Sequence, residues 1–140
     1  MLTLANFPLD WINRNRNYWC KSVARFAQDG GLVMAGTDSY WLASYPGDVH
    51  EELQQLVTCG LSPLQALQAA TLNPAQWLGL NDFGIIKPGN RADLLILEAN
   101  PLAGIENTRQ ISGVVLGGRY FDHAALEALS TLAGQPAPKP

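Results

Sequence analysis

The chain has 140 residues, 47% of them apolar and 15% charged, with a formal net charge of −3 and a pI near 5.2. That is the size of one domain, with enough apolar side chains for a core, and the acids and bases are interspersed rather than gathered into a basic stripe. Nucleic-acid and anionic-membrane binding are therefore excluded, since both need clustered positive charge.

The first dozen residues, with Pro8 and the turn-like run Asn13–Asn17, read as irregular. The N-terminus lacks the basic region and long apolar stretch of a secretory signal, and no window approaches a membrane span, so the expected compartment is the cytoplasm. From about Asn17, Trp19, Val23, Phe26 and Ala27 recur at helical spacing until Gly30 and Gly31 stop the helix. Leu32–Ala35, "LVMA", then reads as a short strand buried on both faces, the kind that belongs in a parallel sheet. It runs into Gly36, Thr37 and Asp38, so a carboxylate stands at the strand's end.

Three helices follow an aromatic loop. Asp48 with Glu51 forms a capping box ahead of the stripe Val49, Leu53, Leu56 and Val57, which ends at Gly60. Ser62, Pro63 and Gln65 begin the next, and Asn73, Pro74 and Gln76 repeat the device for a turn or two before Gly79. After Asp82 the period changes to β: an apolar pair, the Pro88-Gly89 turn, and a strand at Asp93–Leu97. A loop leads to a hairpin in which Val114–Leu116 and Arg119–Phe121 flank Gly117-Gly118. Asp122 caps a last helix through Leu126 and Leu129, and the Pro-rich tail "GQPAPKP" is expected to be disordered. There is no internal repeat, and the "KPGN" turn needs no phosphate ligand to explain it.

The two cysteines, Cys20 and Cys59, form no C-x-x-C pair and fall on apolar helical faces, so they read as reduced core residues rather than a disulfide. Trp11, Trp19, Trp41 and Trp77 read as packing residues.

A parallel strand cannot make a sheet by itself, so Leu32–Ala35 requires neighbours that this chain does not supply. The segments "GLVMAGTDS", "PGDVHEELQQLVTCGLSPLQALQAATLNPAQWLGL", "GIIKPGNRADLLILEANPL" and "VVLGGRYF", in that order, resemble the C-terminal third of the metal-dependent amidohydrolases, nearest the imidazolonepropionase and prolidase-like branch. The resemblance implies an α/β fold: residues 1–82 as the last part of a (β/α)8 barrel, 83–121 as strands of a small β-sandwich, and 122–140 as a terminal helix and tail. It implies that Asp38, at the end of the eighth barrel strand, is the catalytic carboxylate and a ligand of a divalent metal, zinc first among the candidates.

The family's other ligands, a His-x-His pair and further histidines, have no counterpart here, because His50 and His123 are the only histidines. One carboxylate does not make a catalytic metal site, which needs about three protein ligands. The expectation is therefore a fragment or subunit of a hydrolase of C–N bonds in amides or cyclic amides, inactive and metal-free alone, completed by the missing barrel segment, a companion chain or self-association. Tyr40, Trp41 and His50 are candidates for lining the pocket of a small amide substrate. His50 also has a plainer reading, a surface histidine at a helix start. The alternative for the whole chain is a non-catalytic module that packs its unpaired strand on a partner.

Overall fold

A computed structural model describes residues 9–37 and 49–133, with side chains from 15 to 37 and from 49 to 131. Asp38, Tyr40, Trp41, the Asp48 cap and the Pro-rich tail from Gly134 lie outside the described residues.

The elements run α1 (Leu9–Gln28), α2 (Val49–Thr58), α3 (Pro63–Ala70), α4 (Leu72–Trp77), β1 (Leu94–Leu97), a 3-10 turn at Ile105–Arg109, β2 (Ile111–Leu116), β3 (Arg119–Asp122) and α5 (His123–Ala133). Helix α1 begins earlier than its sequence suggests and takes in the whole of Asn13–Asn17. That run contains neither Gly nor Pro, so nothing in its chemistry stops a helix that is already under way. At its other end Gly30 N–H donates to Ala27 O and Gly31 N–H to Phe26 O, the paired bonds that close a helix before a change of direction.

The core lies where α2 and α3 meet. Leu53, Leu56, Leu61, Ala66, Ala69 and Ile105 form one buried cluster, flanked by Val23 and Ala27 of α1 and by Val33 and Ala35 of the segment after it. Ala66 and Ala69 are fully buried, so α2 and α3 approach closely at positions with room only for a methyl group. Ser62 starts α3 as expected: Gln65 N–H donates to Ser62 Oγ at 3.2 Å, and Ser62 N–H donates to Gln65 Oε1 at 2.8 Å.

Helix α4 departs from expectation. Its N-cap is Thr71, without a side-chain cap bond, and Asn73 spends its side chain elsewhere, donating from Nδ2 to Val33 O at 2.7 Å. Beyond α4 the chain folds back at Gly84, where φ is +82° and an added Cβ would stand 2.7 Å from Thr71 O and 2.9 Å from Leu72 Cα. Both the backbone angle and the lack of space demand glycine there.

The three strands form one antiparallel sheet in the order β1-β2-β3. Leu95 pairs with Val114 and Val114 with Phe121, and Leu116 faces Arg119 across Gly117 and Gly118, whose φ values of 57° and 80° suit a two-residue hairpin. Asp93 pins that turn by accepting from Gly117 N–H at 2.6 Å. The Lys87–Asn90 turn closes through Asn90 N–H to Lys87 O, although no strand precedes it and Ile86 is almost wholly exposed. Asp122 caps α5, accepting from Ala125 N–H at 2.9 Å.

Two further expectations are corrected. Cys20 and Cys59 are joined as a disulfide, with Cα atoms 4.5 Å apart. The apolar faces that argued for separate burial are the faces by which α1 meets the end of α2, which brings the two thiols together. Trp19 and Trp77 do not pack: they are 63% and 68% exposed, on faces that nothing among the described residues covers.

Candidate functional site

Gly31–Thr37 is neither helix nor strand and belongs to no ladder among the described residues. Its side chains alternate. Val33 and Ala35 turn onto the α2–α3 core, whereas Leu32 and Met34 are 47% and 41% exposed. The expectation of a strand buried on both faces is corrected: the segment is not assigned as a strand, and only its Val33 and Ala35 side packs on the core, while Leu32 and Met34 stay partly exposed.

The backbone of this segment is anchored to helices instead of strands. Ala35 N–H donates to Ala69 O at 2.9 Å, Val33 O accepts from Asn73, and Gly36 N–H makes a long contact of 3.4 Å with Glu52 Oε1. The path of the segment is therefore held by α3, α4 and the first turn of α2 as far as Gly36, two residues before Asp38 in sequence. Glu52 sits in that first turn among half-buried surroundings, so a second carboxylate borders the segment's end.

His50 is half-buried, in the first turn of α2, with Nδ1 3.0 Å from Thr108 Oγ1. The Thr108 hydroxyl, 2% exposed, donates to Ile105 O at 2.7 Å, so it accepts from His50 and the imidazole carries its proton on Nδ1. His50 accordingly ties the start of α2 to the 3-10 turn between β1 and β2, leaving Nε2 as its remaining acceptor. His123 is exposed and lies 3.4 Å from Glu127 one helical turn on.

Among the described residues no three His, Cys, Asp or Glu side chains converge as a metal site. Both cysteines are oxidised and the two histidines face different elements. The described donors by themselves do not fit a divalent metal, and Asp38, Tyr40 and Trp41 are not among them. No described helix is long and apolar enough to cross a membrane. A small cavity of about 170 Å³ opens at the other end of the segment, where Gly30, Leu32, Gln65, Gln68 and Asn73 meet.

Sequence reasoning missed Asn73, Glu52 and Thr108. Asn73 carried a signal, being an Asn-Pro pair at a helix start, but that signal pointed to capping. Thr108 lies in a stretch read as loop and gave none.

Residues 13–120 match the amidohydrolase family. An adenine deaminase of Ligilactobacillus salivarius is 42% identical over 62 residues, 44% of this chain and 11% of that protein. An imidazolonepropionase of Deinococcus deserti is 40% identical over 82 residues, covering 54% of this chain and 19% of the relative. In three dimensions, a putative prolidase from Bifidobacterium longum superimposes on 81% of this chain, with a TM-score of 0.66 and 30% identity, over 30% of its own length. The chain thus spans between about a tenth and a third of these relatives.

Proposed function

The chain belongs to the amidohydrolase family, and from that premise we propose that it is the C-terminal part of a metal-dependent hydrolase of C–N bonds in amides or cyclic amides. One observation carries the reading: Gly31–Thr37 is held on helices through Val33 and Ala35, alternates with the partly exposed Leu32 and Met34, and precedes Asp38 in sequence. A barrel strand has this construction, with helices outside, a side-chain layer inside, and chemistry at its C-terminal end. The three-stranded sheet supports the same view. Gly113 alone of its strand residues is buried, and Leu95, Ile96, Leu116 and Tyr120 are exposed, as a sheet awaiting a second layer would leave them.

In this reading Asp38 is both a metal ligand and the proton carrier. A divalent cation, zinc first, held in part by Asp38, would supply Lewis acidity that lowers the pKa of water towards neutrality. The Asp38 carboxylate takes the proton of the attacking water and returns it to the leaving nitrogen. Tyr40 and Trp41, two and three residues on, wall the substrate, and His50 holds the helix that begins after their loop. The remaining ligands come with the other barrel strands, from a companion chain or a longer polypeptide. Residues 83–121 then serve the sandwich and 122–140 the terminal helix and tail.

A test grafts this chain onto the rest of the Bifidobacterium longum putative prolidase in place of its equivalent segment and assays zinc-dependent hydrolysis of dipeptides and cyclic amides. The hybrid is expected to turn over substrate, and Asp38→Asn to lower kcat by about 100-fold or more. Full activity in the Asp38→Asn hybrid contradicts the assignment. The second reading, a non-catalytic chain that assembles with a copy of itself or a companion, rests on the same bare segment, and it gains support from an inactive but correctly folded hybrid.

A further inference from the structure

We propose that the Cys20–Cys59 disulfide is a reversible redox clamp that sets whether α1 stays seated on the α2–α3 core. This inference concerns the isolated chain and stands independently of the hydrolase reading.

Helix α1 has 20 residues, with its side chains described from Asn15 on. Its contribution to the core cluster consists of Val23 and Ala27, both only partly buried, and the neighbouring Ala24 lies near Gly60, where an added Cβ would meet it at 3.6 Å. Among the described side chains of α1, Tyr18, Trp19 and Phe26 are more than half exposed, so these large residues do little to hold it down. The covalent link sits on the same face, one turn before Val23, and joins α1 to the residue that follows α2. It closes 39 residues of chain, a span that includes Gly31–Thr37 and Asp38. Both cysteines are half-buried rather than sealed in the core, so a small thiol can reach them.

The chemistry balances with a low-molecular-weight disulfide as oxidant. The Cys20 and Cys59 thiols lose two protons and two electrons, one S–S bond forms between them, and glutathione disulfide is cleaved to two molecules of glutathione. Reduction runs the exchange backwards through a mixed disulfide. In the oxidised chain α1 is fixed. In the reduced chain α1 loses its covalent link and, among the described side chains, keeps the partly buried contacts of Val23, Ala24 and Ala27, so it is freer to leave the core. Disulfides in reducing compartments are for the most part transient and redox-sensing, and those in oxidising ones are permanent, so the potential of this pair also reports the compartment for which the chain is built.

The experiment equilibrates the full chain with glutathione at graded oxidised-to-reduced ratios, alkylates free thiols and counts them by mass. Thermal unfolding and amide exchange of α1 are followed on the same samples. The proposal expects no alkylated cysteine at oxidising ratios and two at reducing ones. It also expects an unfolding midpoint lower by on the order of 10 °C after reduction, from the opening of a long covalent loop, and α1 amides that exchange roughly tenfold faster. The Cys20→Ser/Cys59→Ser variant should match the reduced chain and ignore the glutathione ratio. Two thiols that remain alkylatable at the most oxidising ratio overturn the proposal, as does an unfolding midpoint that is the same in both states.

Discussion

Asn73 shows how one side chain can be claimed by tertiary structure against its local role. Its position favours capping α4, yet its amide reaches 40 residues back in sequence to Val33 O, which would otherwise be a part-buried carbonyl without a partner. Asn73→Ala is expected to destabilise the chain by about 1–2 kcal/mol in urea unfolding, and to speed amide exchange in Gly31–Thr37 ahead of the helices. No loss of stability would mean that the contact holds nothing. His50 and Thr108 form a second long-range link, with the hydroxyl acting as relay to Ile105 O. A double-mutant cycle with His50→Ala and Thr108→Val should return a coupling of about 1 kcal/mol, and additive effects would show that the two side chains act separately. Gly84→Ala must both adopt a positive φ and push into the backbone of Thr71 and Leu72, at a cost of about 1–3 kcal/mol.

At the scale of elements, what the sequence made legible is what local chemistry decides. The Ser62-Pro63-Gln65 start of α3, the Gly117-Gly118 hairpin and the Asp122 cap are all settled within four residues, and each stands where its residues put it. Ser62→Ala, which removes the Oγ half of the capping box and leaves the backbone N–H donating to Gln65 Oε1, is expected to lower stability by about 1 kcal/mol, measured as a shift in the unfolding midpoint at unchanged denaturant slope. The misreadings arise where distant parts of the chain decide. Cysteines 39 residues apart gave no local sign of meeting. Asn13–Asn17 looked like a turn by composition but lies within a helix that tertiary contacts further on hold in place. The Leu32–Ala35 run was read as a strand buried on both faces, yet among the described residues it joins no ladder. Its pattern could not reveal that Val33 and Ala35 would pack on the helical core while Leu32 and Met34 would stay partly exposed.

At the scale of the molecule, the core is real but one-sided. Leu53, Leu56, Leu61, Ala66 and Ala69 are buried between helices, yet Trp19, Phe26, Leu32, Met34, Trp77, Leu95, Leu116 and Tyr120 are open to solvent. So many large apolar side chains on one small domain mark surfaces that are normally covered. Gly31–Thr37, which joins no ladder among the described residues, is a further place where a covering strand could pair. The proposed barrel assembly answers both, and it is consistent with a match to relatives of which the chain spans only a fraction. The candidate site itself was legible only through resemblance, because one strand-end carboxylate has no partners nearby in sequence to announce it.

The most direct test is the native mass of the purified chain, with zinc content and hydrolase activity measured on the same sample. The account predicts that the 15.2 kDa chain associates with itself or with a supplied barrel segment, and that it neither retains zinc nor hydrolyses amides while monomeric. A well-folded monomer that holds zinc and turns over an amide substrate would contradict it.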